Sequence, residues 1–141
     1  MEIKLNSIKF SNSGISELCD FEVQERFEAV ITKISNYLFP DLDMNWSYEQ
    51  PAQQIYFVKP SLNHDQLESL KLGERDLGLA CSLAAIGHVR TFLGDNVVLD
   101  DDVDFAMYEI ERGIQGIIFN QENAHVITEI IYKLTSVINR F

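Results

Sequence analysis

Three consecutive stretches in the C-terminal half repeat their apolar residues at helical spacing, separated by short polar or glycine-containing breaks, and this pattern predicts three helices. From Glu74 to Leu93 the residues Leu77, Ala80, Cys81, Ala84, Ala85, Val89 and Phe92 share one side. Leu79, Leu83 and Ile86 widen that side beyond a single stripe, so this helix is expected at the centre of the fold, covered from several directions. Gly78 and Gly87 each cost about 1 kcal/mol of helix propensity, which close packing against a neighbour would offset. A second stripe runs through Val103, Ala106, Met107, Ile110, Ile114, Ile117 and Ile118. Asp100, Asp101 and Asp102 precede it, where carboxylates suit the positive end of a helix and cap its free amides. A third covers about Asn123 to Phe141 through Val126, Ile127, Ile130, Ile131, Leu134, Val137 and Ile138, and is expected to form a large part of the core.

The N-terminal half is less regular. Val23, Phe27, Val30, Ile31, Ile34, Tyr37 and Leu38 predict a helix that Asp20 caps and Pro40 ends. Asp41 to Pro51 reads as a loop, Gln54 to Lys59 as a strand, and Asn63 to Leu72 as a short helix capped by Asn63 with Gln66 reaching back. Met1 to Phe10 alternates imperfectly, leaving strand and extended arm both open. The expected fold is mainly α, a single-domain helical bundle of four to five helices over residues 1–141, with room for a short strand pair in the N-terminal half.

A chain of 141 residues suits one domain, and about 70% of its unfolded surface can be buried at that size. Its 22 Asp and Glu against 11 Lys and Arg leave a net charge of -11. Such a field repels phosphate backbones and anionic lipid heads and attracts basic proteins, so nucleic acid and membrane are not expected as partners. Met1 to Phe10 lacks the apolar run and cleavage site of a secretory signal. Leu77 to Ile86, the most apolar stretch, is about half the length needed to span a bilayer, so no transmembrane helix is expected. Cys19 and Cys81 are too few and too distant for a disulfide framework or zinc site, and read as thiols of a reducing cytoplasm.

Catalytic and metal-binding patterns are weak. Asp100, Asp102, Asp104 and Glu111 match the first, third, fifth and twelfth positions of a calcium loop, but Phe105 stands where glycine makes the turn and the segment has helical periodicity. Glu122 and His125 form a Glu-x-x-His pair, which di-iron bundles need twice and this chain has once. His88, on the apolar central helix, reads as a core or interface residue. Neither thiol has a neighbouring cation to activate it, and glycine-rich phosphate loops are absent. The expectation is no enzyme, no cofactor and no metal.

Two surfaces remain as candidates for binding a partner. The larger is the acidic run Asp100, Asp101, Asp102 and Asp104, extended by Tyr108 and Glu111 at helical spacing. The second joins Trp46 and Glu49 in the expected 41–51 loop, where an aromatic would anchor and carboxylates steer; the alternative is that Trp46 packs over the edge of the core. In size, acidity and clusters such as Asp100, Asp101, Asp102 and Asp104, the chain resembles the immunity proteins of bacterial toxin systems. That resemblance is one of character and implies a cytoplasmic protein that occludes a basic toxin, such as a nuclease, by direct binding. The competing expectation is a general interaction protein: an adaptor, an effector chaperone or a self-associating helical regulator, with a homodimer among the options.

Overall fold

The structure is a computed structural model that describes residues 7–12, 14–40, 42–63, 65–66, 68, 72–96 and 100–139. Strand β1 (Ile8–Ser11) leads through a single 3-10 turn (Ile15–Glu17) into helix α1 (Phe21–Leu38), followed by strands β2 (Met44–Ala52) and β3 (Ile55–Pro60) and helices α2 (Glu74–Asn96), α3 (Asp101–Phe119) and α4 (Ala124–Ile138). Four long helices appear where the periodicity predicts them, and the mainly helical class holds. The core is not made by helices alone, however, because a three-stranded sheet in the order β1-β2-β3 shares it.

Helix α1 begins where the Asp20 carboxylate accepts the Val23 N–H at 2.8 Å, and it buries Val23, Phe27, Ile31 and Ile34 at steps of three and four. It connects β1 to β2, which run parallel, so that Phe10 pairs with Trp46. A tight antiparallel connection then pairs β2 with β3, Tyr48 opposite Val58. The expected loop over residues 41–51 is therefore corrected: from Met44 onward it is a strand. Its Met44, Trp46 and Tyr48 are buried and alternate with the less buried Asn45, Ser47 and Glu49, the period-two pattern of a strand with one covered face. The strand expected at Gln54 to Lys59 is present as β3. Of the Met1 to Phe10 segment, residues 8–10 belong to β1 and residues 1–6 lie outside the described residues. In Asn63 to Leu72, Asp65, Gln66 and Glu68 are helical, and Asn63 and Gln66 cap each other at 2.9 Å in both directions. Residues 64, 67 and 69–71 of that segment lie outside the described residues.

Helix α2 is central, as its broad apolar surface predicts. It touches β3, α1, α3 and α4, and Leu77, Leu79, Ala80, Cys81, Ala85 and Ile86 are completely buried. Against β3 it comes close enough for side chain to meet strand backbone: the Ser82 hydroxyl accepts the Val58 N–H at 2.9 Å and donates to the Val58 carbonyl at 3.4 Å. One turn earlier, a Cβ on Gly78 would overlap that carbonyl oxygen and stand 3.0 Å from the Lys59 Cα. The glycine is thus required by proximity to β3.

Residues 74–94 of α2 are long and apolar enough to cross a membrane by length and composition, which corrects the shorter estimate made from Leu77 to Ile86. Small residues such as Ala and Gly extend the apolar stretch without adding bulk, and 61% of its most apolar window is buried within the fold. Helix α4 contributes less than its pattern predicts. Ile127, Leu134 and Ile138 are buried, whereas Val126, Ile130, Ile131 and Val137 are partly covered and Tyr132 is exposed. Asn123 does not cap α4 with its side chain; its amide donates to Asp76 on α2 at 2.9 Å.

Candidate functional site

The acidic surface is built by the start of α3. Asp100 caps the helix by accepting the Asp102 N–H at 2.8 Å, and Asp101 and Asp102 are exposed in its first turn, where the helix dipole favours negative charge. Further along, Asp104 and Glu111 turn towards α2 and bracket Arg90, at 3.1 and 3.5 Å. The hydrogen bond to Asp104 comes first among the causes that raise the Arg90 pKa. Tyr108, on the turn between those two carboxylates, has the Arg90 guanidinium 5.0 Å from its ring centroid and that of Arg112 at 5.6 Å. The six expected contact residues therefore divide. Asp101 and Asp102 face outward, Asp100 serves the helix end, and Asp104, Tyr108 and Glu111 are engaged in joining α3 to α2.

Phe105 was not among the expected contacts. Its ring is 61% exposed and packs 6.5 Å from Tyr108 at the rim of the same surface. The signal for it is its position off the Val103, Ala106, Met107 and Ile110 stripe: a large aromatic on the solvent side of an amphipathic helix, three and four residues from Asp102 and Asp101.

The second expected surface, Trp46 with Glu49, is corrected. Trp46 is fully buried on the covered face of β2, and its indole N–H donates to the Ser35 hydroxyl of α1 at 3.2 Å, so it meets no partner from outside. Glu49 faces the other way, paired with Lys59 across the β2–β3 ladder at 3.3 Å. Tyr48 is likewise inward, its hydroxyl donating to Glu28 at 2.7 Å.

No family model, curated protein or solved structure matches the chain.

Burial and then the Asp20 carboxylate push the Cys19 thiol up to about 12, and burial raises Cys81 as well, so both stay protonated near neutrality. The calcium-like quartet does not converge, since α3 begins at Asp101 and Asp104 and Glu111 meet Arg90. Glu122 and His125 are both exposed, and among the described residues no three His, Cys, Asp or Glu side chains gather to hold a metal ion.

His88 is half-buried between α1 and α2 and lies below its ordinary value of 6.5, first through desolvation and then through the Lys33 ammonium. The folded state thus favours the neutral ring. Its contribution is fully present above the unfolded-state value and is lost as pH falls through 6.5 to the lower folded-state value. Denaturant midpoints measured from about pH 7.5 to about pH 5.5 are expected to fall more in the wild type than in His88→Gln. Parallel pH profiles would show that the ring is solvated like a surface histidine.

Proposed function

We propose that the chain is a non-catalytic binding protein of the toxin-immunity kind, which neutralises a basic protein toxin in the cytoplasm by occluding its working surface. The observation that supports this reading is the exposed Phe105 ring with Asp101 and Asp102 on the same helical face. An aromatic that can enter a pocket, next to carboxylates that guide it there, combines the two properties that give interfaces their energy and their speed of encounter. The field of a chain with net charge -11 steers basic proteins and repels nucleic acid, so a nuclease with a basic cleft is the partner class that fits. A cytoplasmic location accords with two cysteines that remain free thiols.

The test is affinity capture from the source cell with the protein as bait, at low and moderate salt, followed by mass spectrometry and titration of the captured partner. One basic, toxic protein, bound more weakly as salt rises, is the expected result. Asp101→Lys/Asp102→Lys and Phe105→Ala should each weaken that complex at least tenfold, about 1.4 kcal/mol or more. Unchanged affinity in both variants would remove the α3 surface from the interface. Recovery of several unrelated proteins would favour the second reading, a general adaptor, for which further exposed aromatics, among them Phe21, Tyr37, Phe92, Phe119 and Tyr132, provide surface.

A further inference from the structure

Helices α1 and α2 leave between them a groove of about 190 Å³ whose chemistry is opposite to that of the chain as a whole. Its apolar wall is formed by Val30, Val89 and the 40% exposed Phe92, and its polar groups are Arg26, Lys33 and His88. Among the described residues no Asp or Glu lines it, in a chain where acids outnumber bases two to one. Arg26 stands with its guanidinium 4.9 Å from the Phe92 ring centroid, so cation and aromatic are already arranged together at the mouth. Glu22 takes Arg26 through one carboxylate oxygen at 3.3 Å, and a guanidinium has five N–H donors in all. His88 lies below its ordinary pKa first through desolvation and then through the Lys33 ammonium, so that ammonium is within electrostatic reach of the ring.

The occupant such a groove selects is an apolar ring flanked by carboxylates. The same chain displays one: Phe105, with Asp102 and Asp101 three and four residues before it on the same face of α3. The sizes agree, since a cavity of about 150 Å³ holds a benzene molecule. We propose that the groove between α1 and α2 receives Phe105, Asp101 and Asp102 from a second copy of the chain. The ring packs against Val30, Val89 and Phe92 while the two carboxylates face Arg26 and Lys33. Because one copy's projection enters another copy's groove, the contact joins unlike surfaces. It is weak, since each copy carries the same net negative charge. The inference does not rest on the existence of a toxin; a partner that takes Phe105 would simply compete with it.

Joining unlike surfaces makes the proposal testable by complementation, using sedimentation velocity on the full chain at physiological ionic strength and up to millimolar concentration. The wild type should associate with rising concentration. A groove variant, Arg26→Glu/Lys33→Glu, and a projection variant, Asp101→Asn/Asp102→Asn/Phe105→Ser, should each associate at least tenfold more weakly alone. Mixed in equal amounts, they retain one intact projection and one intact groove, and should form a one-to-one dimer that grows no further. Formation of that dimer also shows that both variants are folded. A wild type that stays monomeric throughout, variants that associate as well as the wild type, or a mixture that does not pair while the wild type does, would each overturn the proposal.

Discussion

Replacing Gly78 by alanine is expected to destabilise the protein by about 2 to 3 kcal/mol, although alanine is the better helix former by about 1 kcal/mol. The new methyl group would enter the space of the Val58 carbonyl oxygen and press on the Lys59 Cα. Both are strand backbone and cannot turn aside as a flexible side chain would. To make room, α2 must move away from β3, which lengthens the Ser82 hydrogen bonds to Val58 and loosens the most densely covered helix in the fold. Gly87 on the same helix is the internal control. Among the described residues, nothing beyond its own helical turn lies within 4 Å of its Cβ position, so Gly87→Ala should stabilise by about 0.5 to 1 kcal/mol through propensity alone. Denaturant midpoints of the two variants should therefore move in opposite directions with unchanged slopes. A gain in stability for both would mean that α2 and β3 are not in close contact.

Trp46→Ala should have a still larger effect, a loss of about 3 to 5 kcal/mol, enough to consume much of the stability of a domain this size. The indole is fully buried between the sheet and α1, and its removal leaves both a cavity and a Ser35 hydroxyl without the N–H it accepts. Ser35→Ala separates the two contributions. It keeps the ring but leaves a buried donor unsatisfied, for about 1 to 3 kcal/mol. Equilibrium unfolding in urea measures both. Were Trp46 an exposed anchor for a partner, as the aromatic and acidic residues around it first imply, its truncation would alter stability by no more than about 0.5 kcal/mol.

These two sites show what is legible in the sequence and what is not. The four long helices repeat an apolar face over several turns, so each has many chances to declare its period. Strand β2 has only Met44, Trp46 and Tyr48 to show an alternation, among residues such as Asp43, Asn45 and Pro51 that ordinarily mark turns. The carboxylates of α3 are visible in one dimension, and so is the cap at Asp100. Their division is not, because the capture of Asp104 and Glu111 by Arg90 depends on how α2 and α3 align, and these residues lie 14 and 21 positions away from it. Phe105 was within reach of sequence reasoning as an aromatic on the polar side of a helix. The groove beneath Phe92 was out of reach, since Arg26 and Lys33 come together with His88 only when α1 packs on α2.

The contact of Ser82 with Val58 also gives the sheet a direction. A bare strand edge is a template for other chains, and proteins avoid uncontrolled cross-strand aggregation by covering, shortening or charging such edges. Here α2 closes the β3 side completely at its midpoint, with a hydroxyl that uses both the donor and the acceptor an incoming strand would need. Among the described residues β1 has a strand on one side only, and it is four residues long with Lys9 exposed near its middle. Protection against misassembly is therefore asymmetric: structural on one side of the sheet, and dependent on brevity and one positive charge on the other.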